Sequence, residues 1–155
     1  MSLDRIDRQI LSLLQSEGRM TNVELAERVG LTAPPCLRRV RALEQAGVIR
    51  GYRAEVDGAR LGYPITVFAM VSLRSQAERD LAAFEEHVSA IDEVRECYML
   101  NGEIDFILKI VARDLHSFQT LLTTQLTAAP NVASVKTSLT IRTAKSRSGV
   151  PVDGA

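Results

Sequence analysis

The sequence predicts an α+β chain in two parts, three short helices followed by a βαββαβ half. Three observations predict it. Apolar residues recur at three- and four-residue steps up to Ile49, and they alternate from Ile65 onward. Glycines and prolines punctuate the boundaries between the periodic stretches. A length of 155 residues fits one domain or two small ones, with an ordinary 46% hydrophobic and 25% charged residues.

Leu3, Ile6, Ile10, Leu13 and Leu14 predict a first helix from Leu3 to Glu17, closed by Gly18. Thr21 and Glu24 have the spacing of a capping box. The helix they open is expected to bury Val23, Leu25, Ala26 and Val29 and to stop at Gly30. Thr32 is placed as the cap of a third helix, with Pro34 and Pro35 in its first turn and Gly47 just past its end. Two helices joined by little more than a glycine and a leucine form a helix-turn-helix plan. About 50 residues make a weak core alone, so this part is expected to lean on the second half of the chain.

The third helix carries the functional signal. At about 100° per residue, Leu37, Val40 and Leu43 set its buried direction. Arg38 then points outward, Arg39 and Arg41 flank it, Pro35 and Gln45 share the outer side, and Glu44 lies nearer the core edge. An arginine grips phosphate with two hydrogen bonds or pairs bidentately with guanine in the major groove. A basic second helix in such a unit points to double-stranded DNA, against the plainer reading of a solvated charged face. The charge distribution agrees. Overall charge is zero, but residues 1–50 carry eight Arg against six acids, and residues 64–155 nine basic residues against eleven acids. The stretch from Arg50 to Asp57 is read as a short strand serving as wing and tether, with the domain boundary nearby.

The second half reads as strand (Ile65 to Arg74), helix (Leu81 to Ile91), two strands (Val94 to Leu100, Ile104 to Val111), helix (Leu115 to Ala129) and strand (Val132 to Thr143). A tight turn at Asn101, Gly102 and Glu103 joins the two middle strands. This is the ferredoxin-like order. Two helices cover one face of a four-stranded sheet, yet both alternating sets are largely apolar: Ile65, Val67, Ala69, Val71 and Leu73 against Phe68 and Met70, and Phe106, Leu108 and Ile110 against Ile107 and Val111. A bare second face would be a large apolar patch, so a two-fold homodimer is expected. Asp105 is an acid inside an apolar strand beside Gly102, where carboxylate and backbone N–H groups together could hold a zwitterion. Otherwise it is a solvated strand-end acid.

No apolar run reaches the roughly 18 residues of a membrane span, and the N-terminus lacks a signal-peptide core, so a cytoplasmic protein without a membrane partner is expected. Cys36 and Cys97 lack metal-site or disulfide spacing and read as buried thiols. His87 and His116 stand singly. No catalytic residue, metal site or cofactor is therefore expected, and no enzymatic activity.

The stretches LDRIDRQIL, GRMTNVELAERVGLTAPPCLRRVRALEQAGVIRGYRAEVD and ECYMLNGEIDFILKI resemble the Lrp/AsnC family of leucine-responsive, or feast/famine, transcription regulators, in one register from Leu3 to Lys145. The resemblance implies an N-terminal winged helix-turn-helix (1–50), a hinge strand and linker (51–63), and a ferredoxin-like effector-binding and dimerisation domain (64–145); residues 146–155 lack periodicity and are expected to be a flexible tail, or one ordered only by a neighbouring subunit. It implies a sequence-specific regulator responding to an amino acid or related small molecule, dimers that build octamers or other higher oligomers, and a recognition helix from Thr32 to Ala46. The expected DNA-binding residues are Thr32, Pro35, Arg38, Arg39, Arg41 and Gln45. Those expected to bind effector are Leu100, Asn101, Gly102, Glu103, Asp105 and Phe106, with Phe106 where the family usually has tyrosine. Pro34 stands where a hydroxyl residue is usual. An effector-independent architectural protein that wraps DNA is the competing reading.

Overall fold

The computed structural model describes residues 2–152. The chain forms two compact units, one from the residues up to Glu55 together with those from Lys145 on, the other spanning Val56–Ala144.

The first unit holds α1 (Arg5–Ser16), α2 (Asn22–Arg28) and α3 (Ala33–Gln45). Both early helices start with reciprocal caps. Asp4 accepts the Asp7 N–H at 2.8 Å while Asp7 accepts that of Asp4, and Thr21 and Glu24 exchange the same pair of bonds. Gly30 (φ 71°) and Gly47 (φ 70°) occupy the left-handed region just beyond α2 and α3, where a side chain would be strained. The core is Ile10, Leu25, Ala26, Val29, Cys36 and Leu43, edged by Leu3, Ile6, Leu13, Leu14 and Val40.

Four expectations change here. Val23 is 58% exposed, because it stands about 110° around α2 from the direction shared by Leu25, Ala26 and Val29. Thr32 occupies the N-cap position of α3 but its hydroxyl makes no capping bond. The reason is in the sequence: N2 and N3 are Pro34 and Pro35, so the two N–H groups a cap would satisfy do not exist. Residues 50–57 form no strand: no other backbone pairs with residues 50–56 among the described residues, and Asp57 opens a turn whose Leu61 N–H reaches its carbonyl at 3.3 Å. Instead Tyr52 anchors this segment by donating from its hydroxyl to Glu44 Oε1 at 2.9 Å. The tail, expected to be flexible or ordered by a neighbouring subunit, is held against this unit's own α1: Gln15 Oε1 accepts the Val150 N–H at 2.8 Å and Nε2 donates to the Val150 carbonyl at 3.1 Å. Residues 153–155 lie outside those described.

The second unit is a four-stranded antiparallel sheet in the order β2-β3-β1-β4, built from β1 (Ile65–Leu73), β2 (Val94–Met99), β3 (Phe106–Ala112) and β4 (Val132–Leu139). Its helices are α4 (Glu78–Ser89) and α5 (Leu115–Leu121). Val67, Ala69, Val71 and Leu73 of β1 and Phe106, Leu108, Ile110 and Ala112 of β3 are buried, with the rings of Phe106 and Phe84 4.8 Å apart. The opposite face carries Phe68, 38% exposed, with Met70, Ile107 and Val111 half-buried.

The last helix and strand are shorter than the sequence predicts. Beyond α5 the chain makes a π turn over Leu122–Leu126, in which the Thr127 N–H reaches back to the Leu122 carbonyl. Thr123, Thr124 and Thr127 donate their hydroxyls to carbonyls in the preceding turn, competing with the regular helical bonds. β4 stops at Leu139 because its partner β1 begins at Ile65; the final bond runs from Thr140 N–H to Thr66 carbonyl.

Candidate nucleic-acid and effector sites

Neighbouring arginines of α3 have divergent surroundings. Cys36 and Leu43 are fully buried while Leu37 is half-buried, so the core direction lies nearer Cys36 than the sequence pattern suggests. That rotation carries Arg39 toward α1. Its Nη1 donates to Asp4 Oδ2 at 2.7 Å and to Asp7 Oδ1 at 2.8 Å. Asp7 is the one buried charged residue described, 4% exposed, and such a carboxylate demands a partner. The Asp7 backbone N–H, and after it Arg39, hold the Asp4 carboxyl below its ordinary range. Arg39, expected on the DNA side, is thus an α1–α3 staple in the free chain. No local signal could have revealed this, because Asp4 and Asp7 lie more than 30 residues away.

Arg38, Arg41 and Gln45 are exposed on the opposite side of α3, and among the described residues neither arginine is engaged in an ion pair. Pro35 is half-buried, whereas Pro34 takes the exposed position. Asn22, missed in the sequence, donates its amide to the Ala33 carbonyl at 2.8 Å and fixes where α3 begins relative to α2.

In the second unit, Leu100 to Asp105 connect β2 to β3. The ladder ends at the Met99–Phe106 pair, and one further bond, Leu100 N–H to Asp105 carbonyl at 2.8 Å, leaves a loop of residues 101–104. The connection is therefore longer than the tight turn predicted. Asn101, Gly102 and Glu103 are exposed. A Cβ at Gly102 would meet nothing within 4 Å, so no close backbone approach within this chain requires glycine. Asp105 is half-buried, and its Oδ2 accepts the Leu73 N–H at 2.6 Å and lies 3.4 Å from Gln76 Nε2. The carboxylate does meet a backbone N–H, but that of Leu73 rather than the amides of its own loop. Gln76, from the β1–α4 connection, joins the site without a sequence signal. Phe106 is fully buried against Phe84, which removes it from the exposed loop surface; its alternation with Leu108 and Ile110 makes it a core residue.

A groove of about 360 Å³ lies between α4 and β2, lined among others by Glu85, Arg95, Cys97, Met99 and Phe106. Burial, then the Glu85 carboxylate, pushes the Cys97 thiol up to about 11, so it stays protonated at neutral pH. Cys36 is buried as expected, and Cys97 is half-buried.

Similarity to known proteins matches both units. The winged helix-turn-helix DNA-binding family matches residues 3–50, and the Lrp/AsnC ligand binding domain matches residues 66–150. The leucine-responsive regulatory protein of Rhizobium meliloti is 54% identical over 145 residues, covering 94% of this chain and 93% of that one. The Bkd operon transcriptional regulator of Pseudomonas aeruginosa is 41% identical over 150 residues, covering 97% and 98%. A transcriptional regulator of Neisseria meningitidis solved as a complex with L-Met superposes with a TM-score of 0.94 at 34% identity, covering 98% of each chain. With the helix-turn-helix, the ferredoxin-like sheet and this similarity in place, the chain belongs to the Lrp/AsnC family and is a DNA-binding transcriptional regulator with a C-terminal effector domain.

Proposed function

We propose that α3 enters the major groove of double-stranded DNA and reads it through Arg38, with Arg41 and Gln45 beside it and Thr32 at the phosphate backbone. The observation that carries this is the exposure of Arg38 and Arg41 on a helix whose third arginine is already committed to Asp4 and Asp7. The uncapped Thr32 hydroxyl has a hydrogen to give, and a phosphate oxygen is a suitable acceptor. Arg38→Ala should weaken binding to a cognate site by about 1–3 kcal/mol if the guanidinium reads a base. Arg41→Ala should weaken binding uniformly across sequences and flatten the salt dependence. A gel-shift titration at fixed salt checks both; unchanged affinity for Arg38→Ala would remove it from the interface.

The effector we propose is an amino acid or a closely related small molecule, bound at the loop of residues 100–105 with Asp105 taking its ammonium. Support comes from the half-buried carboxylate with one oxygen bonded to Leu73, and from the Neisseria regulator's complex with L-Met. Phe68, Met70, Ile107 and Val111 make an apolar face suited to a second copy of the chain, giving a dimer and from it higher assemblies. The reading needs no cofactor and no catalytic step. No described helix is long and apolar enough to cross a membrane, which suits a role on cytoplasmic DNA. Binding of unrelated DNA with equal affinity, and no thermal shift with any common amino acid, would favour the architectural alternative.

A further inference from the structure

Asn131 is the one described non-glycine residue in the left-handed region, with φ 69°. Glycine would adopt that backbone at no steric cost, so what asparagine adds there is its amide. The amide closes on Ser75, in the connection between β1 and α4. Nδ2 donates to the Ser75 carbonyl at 2.9 Å, and Oδ1 accepts the Ser75 N–H at 2.9 Å. The Asn131 carbonyl accepts the Arg74 N–H at 2.8 Å. Ser75 is tied forward as well, its hydroxyl donating to Asp80 Oδ2 at 2.6 Å. Next in the chain is Gln76, whose Nε2 donates to the Leu73 carbonyl at 3.1 Å and lies 3.4 Å from Asp105 Oδ2. Both neighbours are acceptors, so the amide nitrogen must face them and Oε1 must face away. Among the described residues, neither Gln76 Oε1 nor Asp105 Oδ1 has a hydrogen-bond partner. All of these residues belong to the second unit.

We propose that Gln76 is a second ligand residue of the effector site, and that Asn131 is the positioning residue that holds it there. The inference rests on the reading of Asp105 as the acceptor of an effector ammonium. An ammonium brings three N–H donors, more than one carboxylate oxygen uses. Asp105 Oδ2 is occupied by the Leu73 N–H at 2.6 Å, which leaves Oδ1 for the ligand. Gln76, held beside the same carboxylate through Nε2, offers Oε1 as the next acceptor. One charged and one neutral acceptor side by side suit a primary ammonium. Gln76 is exposed, and a long side chain on a loose connection would incur its ordering cost when the ligand binds. The Asn131 clasp fixes the backbone directly before it, so less order remains to be imposed.

Calorimetric titration of the full-length chain with each of the common amino acids finds the tightest binder, which then serves as the probe. Gln76→Met keeps the length of the side chain without its acceptor and should weaken probe binding about tenfold. Asn131→Gly keeps the left-handed backbone and removes the clasp. In that variant the Ser75 amide should exchange about tenfold faster, and the probe should bind about threefold more weakly. Adding Asn131→Gly to Gln76→Met should weaken the probe no further, which a merely structural loss would not give. Unchanged affinity in Gln76→Met, with binding lost in Asp105→Asn, would overturn the proposal and leave the Asp105 reading standing. A glycine effect of equal size in both backgrounds would overturn the positioning role of Asn131. If no amino acid binds the wild-type chain, the Asp105 reading fails and this inference fails with it.

Discussion

Arg39→Ala separates a structural arginine from a DNA-reading one. It strips the Asp7 carboxylate, whose side chain is 6% exposed, of its charged partner and leaves it the Asp4 N–H at 3.2 Å among the described residues. Removing one member of a buried ion pair costs about 3–5 kcal/mol. Arg39 itself is 34% exposed, so water already screens part of the interaction, and a loss of about 2–3 kcal/mol from the first unit is expected. Native-state hydrogen exchange at α1 amides reads that unit without interference from the sheet. They should exchange roughly 30- to 150-fold faster in the variant, since 1.4 kcal/mol is a factor of ten. Replacing both partners, Arg39→Met with Asp7→Leu, should recover part of the loss, because no orphaned charge remains. An increase below about threefold, accompanied by a large loss of DNA affinity, would refute the staple and return Arg39 to the interface.

Acid should loosen the same unit. Asp4 is held low by the Asp7 N–H and then Arg39, and Glu24 by the Thr21 hydroxyl and backbone. Both contributions are complete above the ordinary carboxylate values of 3.8 and 4.5 and vanish as pH falls through the lower folded values, so the thermal midpoint should hold until that range and then drop. Tyr52 runs the other way: partial burial, then its bond to Glu44, pushes it up to about 12. Its contribution is complete below 10.0 and lost as pH climbs toward about 12; Tyr52→Phe should abolish that alkaline step in a near-ultraviolet titration. Asp105→Asn keeps an acceptor for the Leu73 N–H, whereas Asp105→Ala orphans it and should destabilise the sheet unit by about 1 kcal/mol in urea unfolding. Both should abolish the effector-induced change in DNA affinity, and a response surviving in the Asn variant would remove the carboxylate from ligand binding.

What was legible in the sequence is what local physics determines. Gly30 and Gly47 ended helices where a left-handed residue was required, and the alternation in β1 and β3 sorted the core from the open face. Thr32 takes the expected N-cap position but makes no capping bond for a local reason, since Pro34 and Pro35 delete the N–H groups it would cap. Other departures depend on distant partners. Arg39 turns on Asp4 and Asp7, Asp105 on Leu73 and Gln76, and the tail on Gln15. The segment 50–56 has strand-like residues but, among the described residues, no backbone beside it to form a ladder, which composition alone does not report. Phe106 is assigned to the effector site by its place in the family motif, while its alternation with Leu108 and Ile110 within the expected strand already marks it as core.

The staple also bears on how DNA is read. α3 has thirteen residues and two fully buried side chains, Cys36 and Leu43, with Val40 at the core edge, so polar contacts add to what fixes it about its own axis. Three polar contacts fix that rotation from different directions: Arg39 to Asp4 and Asp7, Asn22 to the Ala33 carbonyl, and Tyr52 to Glu44. Each lies away from Arg38. A side chain that pairs bidentately with a base edge loses its advantage if the helix beneath it rocks, because the ordering cost is then incurred at binding. Freeing α3 should therefore weaken DNA binding even where no DNA contact is removed. Asn22→Ala and Tyr52→Phe are the variants that show it: both leave the arginine face intact, and both should lower affinity for a cognate site more than for random DNA. Equal losses on the two DNAs would mean that the rotation of α3 is fixed by its apolar side alone.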